Sequence, residues 1–208
     1  MQILVLSETQ LYSIRLPAAV SGQYCIYAED RKVAVMSAYK GKWHLCAEDG
    51  LVINRIYTQL YVRKDETYLF TENGKAVIML LIRDAKSYTY KKYDVCQDIT
   101  IGRSPSCTIV YPDPYISACH AVLHYEQGAY VLEDQSSTNH VYVNRRRFQH
   151  GTLRIGDVVE IMELQIVIGK GFLVVNDAAD ITIAQEIKMH HPVYIKPAHV
   201  RLPVYVPS

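Results

Sequence analysis

The sequence predicts an all-β protein built from sandwiches of short strands. Apolar and polar residues alternate through most of the chain, and this two-residue period is typical of strands with one buried face. The strand-like segments recur about every ten residues with polar turns between them, which is the spacing of a β-sandwich. The 17 tyrosines, against 3 phenylalanines and 1 tryptophan, suit sheet surfaces where one ring edge is wet.

The first segments form a predicted hairpin, in which residues 2–6 pair with residues 12–16. Three further short strands follow, at Tyr24–Tyr27, Val33–Met36 and Trp43–Cys46. Helical periodicity is scarce, and Asp180–His190 is the one candidate helix. From Asn176 onward prolines interrupt any regular element, so residues 176–208 are predicted to form an irregular, proline-rich tail or linker.

Composition excludes several classes of function. The 22 basic and 21 acidic residues nearly balance, which argues against a nucleic-acid binder working through bulk electrostatics. There is no phosphate-binding loop, no ordered catalytic triad and no metal-ligand spacing, so we expect neither an enzyme nor a cofactor. The adjacent Cys119 and His120 lack the further ligands of a zinc site. The 5 cysteines show no paired spacing and are interpreted as reduced thiols of a cytosolic protein.

The N-terminal residues Met1–Ser7 carry no basic region and only a short apolar run, which favours a first strand over a signal peptide. No segment approaches the roughly 20 apolar residues that a membrane helix needs. We therefore expect no direct membrane insertion of this sequence.

Four polar clusters between residues 98 and 144 carry the chemistry. They read Ile-Gly-Arg-Ser at 101–104, Ser-Ala-Cys-His at 117–120, Asp-Gln-Ser-Ser-Thr-Asn-His at 134–140, and Val-Asn at 143–144. Each lies between short apolar strands, so loops would gather one fixed cation with several hydroxyl and amide donors. Such a set suits a doubly charged oxyanion on a side chain, namely a phosphorylated residue.

This ordered pattern over about residues 86–175 resembles the forkhead-associated (FHA) domain. Gly102 and Arg103 match the first element of that family, and Ser117 and His120 match the second. The third element is matched by Asp134, Ser137, Thr138 and Asn139, and the fourth by Asn144. The sequence departs from the family at three positions, which are Ala118, His140 and Arg145.

The resemblance implies phosphothreonine recognition by a defined set of side chains. The implied phosphopeptide-binding residues are Arg103, Ser104, Ser117, Thr138 and Asn139. The residues implied to support the loops are Gly102, His120, Asp134 and Asn144. Each residue also has a plainer interpretation, because a loop arginine is often merely solvated and Ser-Ser-Thr-Asn is a good turn sequence by itself. Loss of a polar contact at position 118 predicts weak or altered peptide selectivity.

The chain also contains a weak internal repeat. Residues 43–55 and residues 130–145 both run strand, acidic turn, strand and Asn-Arg. We infer two tandem FHA-type β-sandwiches, a degenerate one over residues 1–83 and one with the partial phosphothreonine motif over residues 86–175. The first copy lacks Gly-Arg, Ser-x-x-His and Ser-Thr-Asn, so it is expected to keep the fold without the phosphate chemistry.

Two such domains followed by a proline-rich tail resemble the cytosolic N-terminal region of EssC-type membrane ATPases of the FtsK/SpoIIIE family, found in Gram-positive type VII secretion. That resemblance implies a cytosolic, non-catalytic module, at the membrane face of a larger ATPase, whose partners are phosphothreonine proteins or other secretion subunits. Two alternatives stay open. The chain can be a phosphate-independent assembly scaffold, or an FHA adaptor of a Ser/Thr kinase pathway unrelated to secretion.

Overall fold

A computed structural model describes residues 1–16, 22–83, 89–95, 97–177 and 180–183 of the chain. These residues divide into two compact units, which meet in the sequence between residues 83 and 89. All regular elements in the described part are β-strands, and each unit has two sheets that enclose an apolar core. The predicted all-β sandwich class is confirmed.

Nine strands lie in the described part of the first unit. They are β1 (Gln2–Leu6), β2 (Leu11–Arg15), β3 (Gly22–Ala28), β4 (Arg31–Tyr39), β5 (Lys42–Ala47), β6 (Leu51–Ile53), β7 (Gln59–Tyr61), β8 (Thr67–Glu72) and β9 (Lys75–Arg83). One sheet has the order β2-β1-β9-β8-β6 and the other the order β3-β4-β5-β7, with every pairing antiparallel. The predicted opening hairpin is present, with Gln2 opposite Arg15.

The second unit is larger. Its strands are β10 (Tyr90–Asp94), β11 (Ile99–Gly102), β12 (Ile109–Val110), β13 (Ala121–Glu126), β14 (Ala129–Asp134), β15 (Val141–Val143), β16 (Arg146–Phe148), β17 (His150–Leu153), β18 (Val158–Ile161), β19 (Leu164–Ile168), β20 (Phe172–Asn176) and β21 (Thr182–Ile183). The two sheets have the orders β10-β20-β19-β18-β15-β16 and β17-β14-β13-β11-β12-β21. Of these pairings, β11 with β12 is parallel.

Alternation along the strands builds the two cores. In β5 and β14 the second and fourth residues are buried, which places Trp43 and Leu45 in the first core and Tyr130 and Leu132 in the second. Because successive side chains of a strand point to opposite faces, the buried residues of β5 and β14 lie on the core face of their sheets.

The two units share a strand plan. The order β3-β4-β5-β7 in the first unit corresponds to β11-β13-β14-β17 in the second, and β6, β8 and β9 correspond to β15, β18 and β19. The two Asn-Arg turns of the internal repeat also have similar backbone conformations. Asn54 and Arg55 have φ of 49° and 71°, and Asn144 and Arg145 have φ of 49° and 67°. The side-chain oxygen of each Asn accepts a hydrogen bond from a strand amide, from Leu69 in the first unit and Val158 in the second.

One position in the plan is filled differently. In the first unit the strand beside β9 is β1, which comes from the beginning of the unit. In the second unit the strand beside β19 is β20, which comes from the end. Both neighbours are antiparallel, so the sheets have equivalent geometry although the chain enters them in a different order.

The irregular tail was predicted to begin at residue 176, but regular strands extend beyond that point. Asn176 is buried as the last residue of β20, where its side chain accepts from the Gln165 amide and donates to the Glu163 carbonyl. Thr182 and Ile183 form a strand paired with β12, and not the start of a helix, because β-branched residues favour the extended backbone. The rest of the predicted helix and tail, and the predicted polar link at residues 84–86, lie outside the described residues.

No helix that is long and apolar enough to span a membrane occurs in the part of the chain that the structure describes.

Candidate functional site

Three of the four polar clusters come together on adjoining loops of the second unit. They lie on the connection from β11 to β13, at residues 103–120, and on the loop from β14 to β15, at residues 135–140. Gly102 makes the approach of these segments possible. A Cβ atom at this position would lie 2.3 Å from the Ala118 carbonyl oxygen and 3.0 Å from Cys107 Sγ, so no larger residue fits without moving backbone.

Arg103 is exposed and held in place through one nitrogen. Its backbone amide donates to the Ser117 carbonyl at 2.9 Å, and its side-chain Nε donates to the Ile116 carbonyl at 3.1 Å. Among the described residues no hydrogen bond or ion pair engages its two terminal guanidinium nitrogens. The structure therefore presents an exposed guanidinium that is held at Nε and has two terminal donor groups left to bind an anion.

Hydroxyl and amide groups surround this arginine in sequence and in space. The Ser104 amide donates to the Ala118 carbonyl at 3.0 Å, and the Ser104 hydroxyl lies 2.8 Å from that of Ser106. The Ser117 hydroxyl accepts a hydrogen bond from the Thr138 amide at 3.3 Å, which joins the two loops. Thr138 itself is exposed. All these donors are on the same pair of loops as Arg103.

Asn139 is tied to the other loop by its side chain. Its Nδ2 donates to the Tyr115 carbonyl at 2.7 Å. Tyr115 and Ile116 therefore supply consecutive carbonyls that position Asn139 and Arg103. The turn itself is set by Asp113, whose side chain accepts from the Tyr115 amide at 2.7 Å and whose carbonyl accepts from the Ile116 amide at 3.0 Å.

His120 hydrogen-bonds to both loops through its buried ring. The ring is fully buried, its Nδ1 accepts from the Ser117 amide at 3.2 Å, and its Nε2 donates to the His140 carbonyl at 3.3 Å. This pattern requires the neutral tautomer with hydrogen on Nε2. Burial is the main cause that lowers the pKa of His120 below its usual value, which favours the same neutral form. Both ring nitrogens are engaged, so the ring has no electron pair to offer a metal.

The β14–β15 loop is closed by its own side chains. The Asp134 carboxylate accepts from the Ser137 amide at 2.8 Å, and the Asp134 amide donates to the Gln149 carbonyl at 2.7 Å. His140 adopts φ of 61°, in the left-handed region. Histidine enters that region more readily than most residues, so it is compatible with this turn position.

Among the described residues, the side chains of Asn144 and Ala118 make no hydrogen bond within the two loops' cluster of donors. Asn144 lies in the β15–β16 turn, away from the two loops, where its side chain contacts the Val158 amide at 3.0 Å and the Asp157 carboxylate at 2.8 Å. Its place is thus in the scaffold that carries the loops. Ala118 is exposed between Ser117 and Cys119, and its side chain brings no polar group to the surface there.

The first unit has no equivalent loops. The connection from β3 to β4 is the tight turn at Glu29 and Asp30, where the second unit has residues 103–120. The connection from β5 to β6 is likewise reduced to residues 48–50. Turns of this length cannot carry an arginine and several donors to a common point, which gives a physical reason for the missing motif.

These loops on a β-sandwich define the class of domain. The family model of the FHA domain matches residues 99–162, so the chain contains an FHA domain, within its second unit. FHA domains are non-catalytic, phosphothreonine-binding protein-interaction modules.

The similar proteins match this chain over very different shares of its length. A probable serine/threonine-protein kinase of Dictyostelium discoideum, fhkA, is 28% identical over 93 residues, which are 40% of this chain and 16% of the kinase. Mycobacterium tuberculosis EmbR, in complex with a low-affinity phosphopeptide, is 25% identical with a TM-score of 0.36, covering 39% of this chain and 24% of EmbR. The N-terminal FHA domain of EssC, a component of the bacterial type VII secretion apparatus, is 13% identical with a TM-score of 0.44, covering 92% and 98%.

Sequence reasoning found most of the clustered residues and missed two features. The predicted Arg103, Ser104, Ser117, Thr138 and Asn139 share the two adjoining loops. The role of the Tyr115 and Ile116 carbonyls was missed, although Pro112-Asp113-Pro114 signals a turn at that point. The Ser104–Ser106 hydroxyl contact was also missed, because a loop serine carries no signal of its partner.

Proposed function

We propose that the second unit binds phosphothreonine peptides through Arg103, Ser104, Ser117, Thr138 and Asn139, and that the chain acts as a protein-interaction module. The observation that carries the proposal is Arg103, whose Nε is held by the Ile116 carbonyl while its terminal nitrogens make no contact among the described residues. A phosphate group carries about −1.5 to −2 charges near pH 7, and a planar guanidinium donates to two of its oxygens at once.

Hydroxyl and amide donors complete the proposed phosphate contacts. Ser117 and Thr138 already meet through the Thr138 amide and the Ser117 hydroxyl, which leaves the Ser117 hydroxyl hydrogen and the Thr138 hydroxyl available to an oxyanion. Ser104 is an accessory donor from the first loop. These donors are held by their own loops before binding, so little ordering entropy is lost when the ligand arrives.

Asn139 is proposed to bind the peptide backbone. Its amide now donates to the Tyr115 carbonyl, and its Oδ1 makes no contact among the described residues. An Asn side chain offers both a donor and an acceptor, which is the complement of a peptide bond. Gly102, His120, Asp134 and Asn144 are proposed to hold the loops and make no phosphate contact themselves.

The first unit is proposed to be an FHA-like sandwich without a phosphate site. The shared strand plan and the matching Asn-Arg turns support a common origin of the two units. The short turns at residues 29–30 and 48–50 support the loss of binding. The domain bounds at residues 1–83 and 86–175 are proposed on the same grounds.

For the wider setting we propose the cytosolic N-terminal region of an EssC-type ATPase of type VII secretion, with partners among the secretion subunits. The arrangement of one site-free and one site-bearing sandwich in a single chain supports this proposal. Sequencing the reading frame around this chain tests it. Membrane helices followed by ATPase motifs support it, and their absence favours an adaptor of a Ser/Thr kinase pathway.

A second candidate is a scaffold that docks partners without phosphate. The exposed Ala118 favours it, because no polar side chain reaches the ligand from that position. Capture of partners by the chain, with and without prior phosphatase treatment of those partners, separates the two. Capture that survives dephosphorylation supports the scaffold.

The direct test of phosphate reading is a pair of peptides that differ only at one threonine. We expect fluorescence polarisation to show saturable binding of the phosphothreonine form and none of the threonine form at the same concentration. Equal binding of the two forms overturns the proposed function.

A further inference from the structure

We propose that the exposed hairpin of β15 and β16, the arginine hairpin, selects acidic residues that flank the phosphothreonine. It comprises residues 141–148 and carries the exposed Arg146 and Arg147. The inference rests on the proposed function of the neighbouring loops and adds a preference within the peptide that they bind.

The hairpin begins where the site loop ends. Val141 follows His140 directly, and Val141 is paired with Phe148. At the other end of the loop the Asp134 amide donates to the Gln149 carbonyl at 2.7 Å. Both strands of the hairpin are therefore anchored to the loop that carries Thr138 and Asn139.

Arg147 lies on the outer face of the sheet and near the site. It is opposite Tyr142, and Tyr142 is exposed while its neighbours Val141 and Val143 are buried, so this row faces solvent. Tyr142 is two residues beyond His140, a rise of about 7 Å along a strand. An extended peptide advances about 3.3 Å per residue. A residue two to four positions from the phosphothreonine can therefore span the distance from the site loop to the row of Tyr142 and Arg147.

Arg146 and Arg147 are the exposed cations of the two hairpin strands. Arg146 and Arg147 are exposed and form no ion pair among the described residues. Glu160 lies beyond Tyr142 on the same row, and Asp157 accepts from Asn144 Nδ2 and from the Arg154 amide. The positive charge is therefore free to meet acidic side chains of a bound peptide.

The experiment compares phosphothreonine peptides with alanine flanks against peptides with glutamates two to four residues away on either side. Exposed ion pairs are worth up to about fivefold in affinity each, so we expect the wild-type chain to prefer one glutamate-flanked set by about fivefold at low salt. The preference should shrink as salt rises, because screening weakens exposed pairs.

The double substitution Arg146→Ala with Arg147→Ala should abolish this preference and leave the alanine-flanked peptide bound as in the wild type. Lys91→Ala is the matched control, because Lys91 is an exposed cation on β10 at the opposite edge of the same sheet. It should keep the preference.

The failures are distinguishable. If the alanine-flanked phosphopeptide does not bind, the proposed function and the flank assignment are both overturned. If it binds but the glutamates bring no gain, or the gain persists in the double variant, only the arginine hairpin is excluded. If Lys91→Ala loses the preference for glutamate-flanked peptides to the same extent, the preference comes from the net charge of the chain. That result also overturns the assignment to the arginine hairpin.

Discussion

Arg103 illustrates how a backbone carbonyl can prepare a side chain for an anion. The Ile116 carbonyl accepts from Nε, and the terminal nitrogens make no contact among the described residues. This arrangement depends on Gly102, because the chain passes so close to Ala118 that a side chain would collide with its carbonyl. The residue before the arginine is thus as important to the site as the arginine itself.

Substituting Gly102 by Ala is predicted to destabilise the second unit by about 1–3 kcal/mol, the usual cost of overpacking, and to weaken phosphopeptide binding. Urea unfolding measures the first effect and polarisation the second. Gly22→Ala in β3 is the control, because its added Cβ would meet Tyr24 at an ordinary 3.5 Å. Equal stability of the two variants contradicts this view of Gly102.

The buried neutral His120 predicts a pH dependence. Its lowered pKa means that the folded state binds fewer protons than the unfolded state below about pH 6.5, the ordinary pKa of histidine. The free energy of unfolding should therefore fall as pH decreases below that value. Urea unfolding across pH 5–8 measures it without interference from the peptide phosphate, which itself titrates near pH 6.

Two variants identify the group responsible. His120→Gln should flatten the dependence below about pH 6.5. His124→Gln should instead make the loss of stability at low pH steeper. A hydrogen bond to Asp98 raises the pKa of His124, so this pair stabilises the fold at low pH and its contribution is lost as pH rises through the folded pKa. If the free energy of unfolding of His120→Gln still falls below about pH 6.5 as it does in the wild type, His120 is not the group responsible.

At the scale of elements, the turn after β15 shows how much one side chain can fix. Asn144 combines a left-handed φ of 49° with hydrogen bonds to the Val158 amide and to Asp157. We predict that Asn144→Ala lowers the free energy of unfolding by about 1–3 kcal/mol through the unpaired buried amide and the strained φ. Asn144→Gly, which relieves only the strain, should recover part of the loss in urea unfolding; no recovery contradicts the contribution of φ.

Alternation and turn residues were enough to predict the strands and the all-β class, because burial of one sheet face leaves a two-residue period in the sequence. The loop motif likewise pointed to residues on the two loops that the structure joins through Ser117, Thr138 and Asn139. The carbonyls of Tyr115 and Ile116 were not predictable, since any residue type supplies a carbonyl and only the loop conformation aims it. The pairing of Thr182 and Ile183 with β12 depends on a distant partner strand and was missed for that reason.

At the scale of the molecule, the two units carry separate apolar cores on the same strand plan. Leu45 in β5 and Leu132 in β14 occupy equivalent positions, and both are fully buried. We predict that Leu45→Ala and Leu132→Ala each cost about 2–5 kcal/mol in their own unit.

Only the second of these changes should impair phosphopeptide binding, because the binding loops are built on the second core. Urea unfolding and polarisation on the same samples measure both effects. Equal loss of affinity in Leu45→Ala means that the first unit takes part in binding, contrary to our proposal.

The central claim concerns Arg103 and is tested most directly by calorimetric titration of one phosphothreonine peptide into the wild-type chain and into Arg103→Ala. We predict one saturable site in the wild type and an affinity at least about tenfold lower in the variant, since a charge-assisted hydrogen bond contributes more than about 1.4 kcal/mol. Equal affinities of the two proteins, with the variant folded as judged by its unfolding curve, would contradict the claim.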